Sequence, residues 1–215
     1  MTCRAPVLPL DPLLDEWPAG QPIHTIYSTN HAPGDFNLGL DSSGNPRSPT
    51  RFAPIRDEHG RVVPYLYGGS SYDCAIFETI FHNIPIDAPY KFIDLNDFSS
   101  RGYARLIPQR TLRLVDLTTE GLHRLKVPKE ELIASLPRDY PETARWAEAL
   151  HRQCRKIDGL IWMSRQRDRD RALVLFGDRA GNSLLGLPFG GALRNNERLR
   201  QAILKLALRA GIVVA

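Results

Sequence analysis

Short apolar runs alternate with Gly- and Pro-rich stretches, and only a few segments carry helical stripes. IHTIYS at 23–28 reads as a strand, and RVVPYLY at 61–67 has strand composition that Gly68-Gly69 is expected to end. SYDCAIFETIFHN follows, with Ser70 or Ser71 as its cap. Tyr72, Ala75, Ile76, Thr79 and Ile80 share one helical face, while Cys74, Phe77 and Phe81 make the other side apolar too. A helix apolar all round is a buried one. KFIDLND at 91–97 and LRLVDLT at 112–118 predict strands, and Pro137–Ile157 predicts a helix entered near Pro141 and stopped by Asp158-Gly159. LIWMS at 160–164 and ALVLF at 172–176 predict a hairpin across the charged turn RQRDRDR. A last helix runs from about Asn196 to Arg209, before IVVA. Strands and helices out of strict alternation predict an α+β fold, a single domain over 23–215 preceded by a proline-punctuated arm at 1–22.

Composition narrows the class. At 215 residues with 42% hydrophobic and 24% charged residues, the chain has the balance of a globular domain that buries its own core. Cys3, Cys74 and Cys154 are odd in number and widely spaced, so neither a disulfide framework nor a zinc site is expected, and a reducing, cytoplasmic setting is. No apolar run approaches the ~18 residues of a membrane span. The net charge of +4 is spread among acidic residues, and no basic stripe suggests direct nucleic-acid binding. GxGxxG after a strand, GxxxxGK[ST], HExxH and GxSxG are all missing, and the six histidines lack ligand spacing. Dehydrogenase, P-loop, zinc-hydrolase and serine-esterase chemistries are unsupported, and no metal is expected.

Three places carry chemistry. Glu78 is the one carboxylate after the first turn of an apolar helix, where it must be paired, hydrogen-bonded or protonated. A structural salt bridge is the plain alternative. Tyr65 and Tyr67 stand at a strand end, where packing is the usual role. Ser164-Arg165 emerges where an apolar strand stops, a place where sites gather, although a simple turn is the default reading. The segment HAPGDFNLGLDSSGNPRSPT is rich in Gly, Pro, Asn and Ser and reads as loop rather than regular structure, and a loop of this length is usually functional or mobile.

Order and spacing join these signals. Arg51-Phe52, the strand ending in Tyr67, and Ala75, Glu78 and His82 in an A-x-x-E-x-x-x-H helix precede Asp158-Gly159, Ser164-Arg165 and Phe176. Over roughly residues 23–180 this pattern resembles the RES family, named for its Arg, Glu and Ser. The chain departs from it in three respects. Ser48-Pro49-Thr50-Arg51-Phe52 stands where many members carry GGRWN, the loop from Arg51 to Tyr67 is longer than in short members, and the first strand offers only His24 and Thr25 where an Arg is expected.

The resemblance implies a fold similar to ADP-ribosyltransferase toxins and a toxin enzyme that cleaves the nicotinamide–ribose bond of NAD⁺ by phosphorolysis or hydrolysis. It implies catalytic roles for Arg51, Tyr67, Glu78 and Ser164, with Arg51, Tyr65, Tyr67 and Arg165 contacting the nucleotide. NAD⁺ would be substrate rather than cofactor, and inorganic phosphate the candidate co-substrate. A helix-turn-helix antitoxin would neutralise the enzyme, and a homodimer is left open. Protein ADP-ribosylation from the same site, and a catalytically silent binding module, are the alternatives.

Overall fold

The computed structural model describes residues 3–41, 43–45, 47–82 and 84–214. Its strands are β1 Leu14–Trp17, β2 Ile23–Ser28, β3 Ile55–Arg56, β4 Val62–Val63, β5 Tyr65–Gly69 and β6 Phe92–Ile93. They continue with β7 Arg101–Pro108, β8 Leu112–Asp116, β9 Gly159–Met163, β10 Arg171–Phe176, β11 Leu184–Ala192 and β12 Val213–Val214. The α-helices are α1 Tyr72–Thr79, α2 Thr119–Leu125, α3 Lys129–Leu132, α4 Tyr140–Gln153, α5 Gly177–Ala180 and α6 Glu197–Arg209. One eight-stranded mixed sheet in the order β1-β8-β9-β10-β5-β2-β7-β11 is the frame, with β8 and β9 parallel and its other pairs antiparallel. This is the expected α+β single domain.

Apolar side chains from the sheet feed three buried clusters. One packs α4 (Ala144, Ala147, Leu150) onto Leu160, Trp162, Val174 and Phe176. Another packs α1 and α6 (Ala75, Ile76, Ile203, Leu206) onto Ile26 and Tyr103. A third joins Trp17, Ile23, Leu106, Leu114 and Leu173. Helix α6 is capped by the Asn196 side chain, and the β9–β10 hairpin forms as the sequence predicts.

Several elements differ from their sequence reading, each for a local reason. The proline-punctuated segment is not merely a surface arm: β1 pairs antiparallel with β8, and Cys3, Leu10 and Trp17 are buried. Gly68-Gly69 ends its strand as expected, and does so while still paired, as the last two residues of β5, opposite Leu173 and Ala172. A Cβ on Gly68 would come 2.5 Å from Ile23, and one on Gly69 2.6 Å from Cys74 Sγ, so the pair lets β2 and α1 lie directly against β5. Helix α1 stops at Thr79, a turn short of His82, ahead of Pro85, and only Cys74, Ala75 and Ile76 within it are fully buried. Asp94 takes the amide of Asn96 and turns the chain into a 3₁₀ segment, which ends the 91–97 strand at Ile93. Strands β7 and β11 escape the apolar pattern. The latter contains Pro188 and is tolerated because it is an edge strand with a register shift.

One irregularity shapes the surface. Neighbours β2 and β5 pair only at His24↔Gly69 and then part, held by Thr25 Oγ1 donating to the Tyr67 carbonyl at 2.8 Å. Further along, Tyr65 bonds instead to Asn37 of the long loop, through both backbone groups. A cleft opens in the split.

Candidate active site

The cleft is a cavity of about 290 Å³. Its walls are Thr25–Ser28 of β2, Tyr65–Tyr67 of β5, Glu78 and Thr79 of α1, His82, Arg101, and His31, Asp35, Phe36, Asn37, Arg47 and Thr50 of the long loop. That loop is a wall of the site, in keeping with its length and composition.

Two carboxylates line the cavity, Asp35 of the long loop and Glu78 of α1, and Ser164 holds Glu78. Ser164 is 1% exposed, and its Oγ donates to Glu78 Oε1 at 2.6 Å. The same Oγ accepts the amides of Gln166 at 3.3 Å and Arg167 at 3.1 Å, so its single proton is committed to the carboxylate. Ser164 therefore stands behind Glu78 as an orienting donor rather than as a nucleophile. Oε2 of Glu78 receives no hydrogen bond from the described residues. Cys74, one turn earlier on α1, is inert: burial and the neighbouring Glu78 charge push its thiol up to about 12.

Arg51 is 3% exposed and enters none of the ion pairs among the described residues. Its guanidinium lies 5.9 Å from the Tyr140 ring, and its buried Nε has no hydrogen-bond partner among the described residues. His82 Nε2 meets Tyr140 Oη at 3.1 Å, and its buried Nδ1 likewise has no partner among the described residues. Burial first, then the Arg51 charge, lowers the His82 pKa; Glu78 opposes the shift and Arg165 adds to it. Arg51 thus sits behind His82 rather than on the cavity wall. A buried cation without a carboxylate partner is costly, and an anionic ligand is what would compensate it.

The remaining expectations divide. Tyr65 and Tyr67 both line the cavity, with rings edge-to-face at 5.8 Å. The hydroxyl of Tyr67 is already used: it accepts the Phe52 amide at 2.9 Å and meets Thr50 Oγ1 at 3.1 Å, which fastens the segment carrying Arg51. It is not free to bond a ribose, and burial raises its pKa. Arg165 lies elsewhere, in an adjoining groove of about 400 Å³ beside Phe77, Phe81, Lys91 and Arg209. Within the charged turn Arg167 pairs with Asp170 at 3.1 Å, and it also reaches Asp73 of α1 at 3.0 Å. Sequence reasoning did not single out Arg47, Arg101, His31 or Thr25 as site residues. A lone cation in a Gly/Pro/Ser loop was the available signal for Arg47.

Among the described residues no group of His, Cys, Asp and Glu could hold a metal, and no helix is long and apolar enough to cross a membrane.

No curated protein matches the chain. Among solved structures it is similar to one described as the crystal structure of the M. tuberculosis MbcT-MbcA toxin-antitoxin complex. The TM-score is 0.56 at 12% identity, covering 91% of this chain and 92% of the other, which is a likeness of fold. The RES domain family model matches residues 25–185, which take in the split strands, Arg51, Glu78, His82 and Ser164. The chain belongs to the RES-domain family.

Proposed function

We propose that this protein is an NAD⁺-consuming enzyme that breaks the nicotinamide–ribose bond. The observation that carries the reading is Glu78, a cavity carboxylate with one oxygen fixed by Ser164 at 2.6 Å and the other without a hydrogen bond from the described residues. As the C1″–N bond breaks, its electron pair leaves with nicotinamide and the ribose becomes oxocarbenium-like. A preorganised carboxylate stabilises that cation and can orient a ribose hydroxyl. The Tyr67 ring offers a wall for the nicotinamide, and Arg51, buried behind His82, adds positive charge to that side of the cavity at longer range. Inorganic phosphate as acceptor gives ADP-ribose-1″-phosphate, and water gives ADP-ribose. NAD⁺ is then a substrate, with no metal or further cofactor in the scheme.

An enzyme that drains NAD⁺ harms its own cell. The proposal therefore extends to a cytoplasmic toxin kept silent by an antitoxin, with a helix-turn-helix part that makes the DNA contact. The likeness to a toxin from a toxin-antitoxin complex supports this partner class. Incubating the protein with NAD⁺, with and without phosphate, and identifying products by mass spectrometry tests the chemistry. Release of nicotinamide with a phosphate-dependent sugar phosphate is expected; intact NAD⁺ overturns the reading, and label on protein replaces it with ADP-ribosyl transfer. Growth arrest on expression, relieved by the genomic neighbour, tests the toxin.

A further inference from the structure

The cavity has two chemically different ends. Thr25, bonded to the Tyr67 carbonyl, marks the Glu78 end, and Ser28, paired with Arg101 of β7, marks the other. Three residue steps of extended chain separate them, on the order of 10 Å. Arg101 lines this far end, and Arg47 enters from the long loop close enough to Tyr65 for its charge to act on the phenol. No side-chain hydrogen bond or ion pair involves either guanidinium among the described residues. Both belong to an exposed rim, where they stay solvated at no cost to the fold until an anion arrives. The Glu78 carboxylate at one end and two uncommitted arginines at the other match a ligand that is cationic at one end and phosphorylated at the other; the cavity's second carboxylate, Asp35 of the long loop, has Oδ2 taken by the Ala32 amide at 2.8 Å. The volume, about 290 Å³, is at the bottom of the roughly 300–1,000 Å³ range of ligand pockets. It suits half a dinucleotide.

Resting on the proposed reaction, we infer that Arg47 and Arg101 form a phosphate clamp, so that the site recognises the nicotinamide 5′-phosphoribosyl half of its substrate and leaves the adenylate outside. Nicotinamide mononucleotide is then a substrate in its own right. The mononucleotide and NAD⁺ share the clamped phosphate, whereas nicotinamide riboside lacks it.

The test compares kcat/KM for nicotinamide release from NAD⁺, the mononucleotide and the riboside, in the native protein and in Arg47→Gln, Arg101→Gln and the double variant. The native protein is expected to use the mononucleotide within about tenfold of NAD⁺. Each substitution should cut the mononucleotide-over-riboside preference by about tenfold, and the pair by about 10², as expected for lost charge-assisted contacts. Equal losses on riboside and mononucleotide, or a riboside used as well as the mononucleotide, overturn the inference. Inorganic pyrophosphate binding by calorimetry gives a readout independent of turnover. Binding weakened tenfold or more in the double variant supports the clamp even if no substrate is cleaved, in which case the proposed reaction alone fails. Unchanged pyrophosphate binding in the double variant sinks the clamp.

Discussion

Strand β9 begins next to one buried carboxylate and ends next to another site of buried polar groups, and the two are partnered very differently. Asp158, 4% exposed at its start, takes Arg110 through two bonds, 2.8 and 2.5 Å, and the Arg113 amide at 2.9 Å. Arg110 is 47% exposed on its side chain, so its charge is partly hydrated as well as paired. At the other end Ser164 reaches Glu78, but Glu78 Oε2, Arg51 Nε and His82 Nδ1 have no partner among the described residues. Saturated bonding locks the strand start. The strand end keeps donors and an acceptor uncommitted, which weakens the fold locally and leaves groups for a ligand.

Substitutions should separate these two kinds of site. The largest effect is expected from Glu78→Gln, which keeps shape and the Ser164 bond but removes the charge. NAD⁺ turnover should fall by ~10²-fold or more while the melting temperature moves by only a few degrees. Full turnover in this variant would take Glu78 out of the mechanism, and an unfolded variant would make it a structural residue like Asp158.

Arg51→Met sharpens the contrast further. Replacing an uncompensated buried cation by an apolar side chain of similar length should leave stability unchanged or raised. NAD⁺ binding should weaken by about 1.5–3 kcal/mol, a loss of roughly tenfold to over a hundredfold. A marked drop in melting temperature with unchanged binding would place Arg51 with the structural pairs.

Asp158→Ala is the mirror case. It strands the Arg113 amide and releases Arg110, at a cost of about 2–3 kcal/mol, or roughly 5–10 °C in thermal melting. Turnover per folded molecule should be retained. Activity lost without loss of stability would break the comparison.

The smallest effect is a pH slope. In the unfolded chain His82 takes up a proton near its ordinary 6.5, whereas burial and Arg51 depress that pKa in the fold. Below about pH 6.5 the unfolded state binds more protons, so stability is lost as pH falls toward the depressed value. His24, lowered by burial and Arg105, has the same sign. Chemical denaturation between pH 7.5 and 5.5 should show a shallower loss in His82→Gln than in the native protein. Parallel slopes would mean His82 is not the group responsible.

Glu78 and Ser164 were legible in the sequence because their chemistry conflicts with their surroundings: a carboxylate on an apolar helix, and a polar pair at the end of an apolar strand. The β9–β10 hairpin, α4 and α6 were legible because local periodicity and caps suffice for them. What the residues and their order determined was an α+β fold, the RES pattern and the identity of the central carboxylate. Tertiary structure alone decided the rest. The split between β2 and β5, which makes the cavity, depends on pairing between strands about forty residues apart and on two glycines that admit Ile23 and Cys74. It also put Arg101 on the cavity through its register with Ser28, sent Arg165 into the adjoining groove, and spent the Tyr67 hydroxyl on the Thr50–Phe52 segment. The face that a turn residue presents, and the partner a hydroxyl finds, are set by nonlocal contacts that spacing along the chain does not encode.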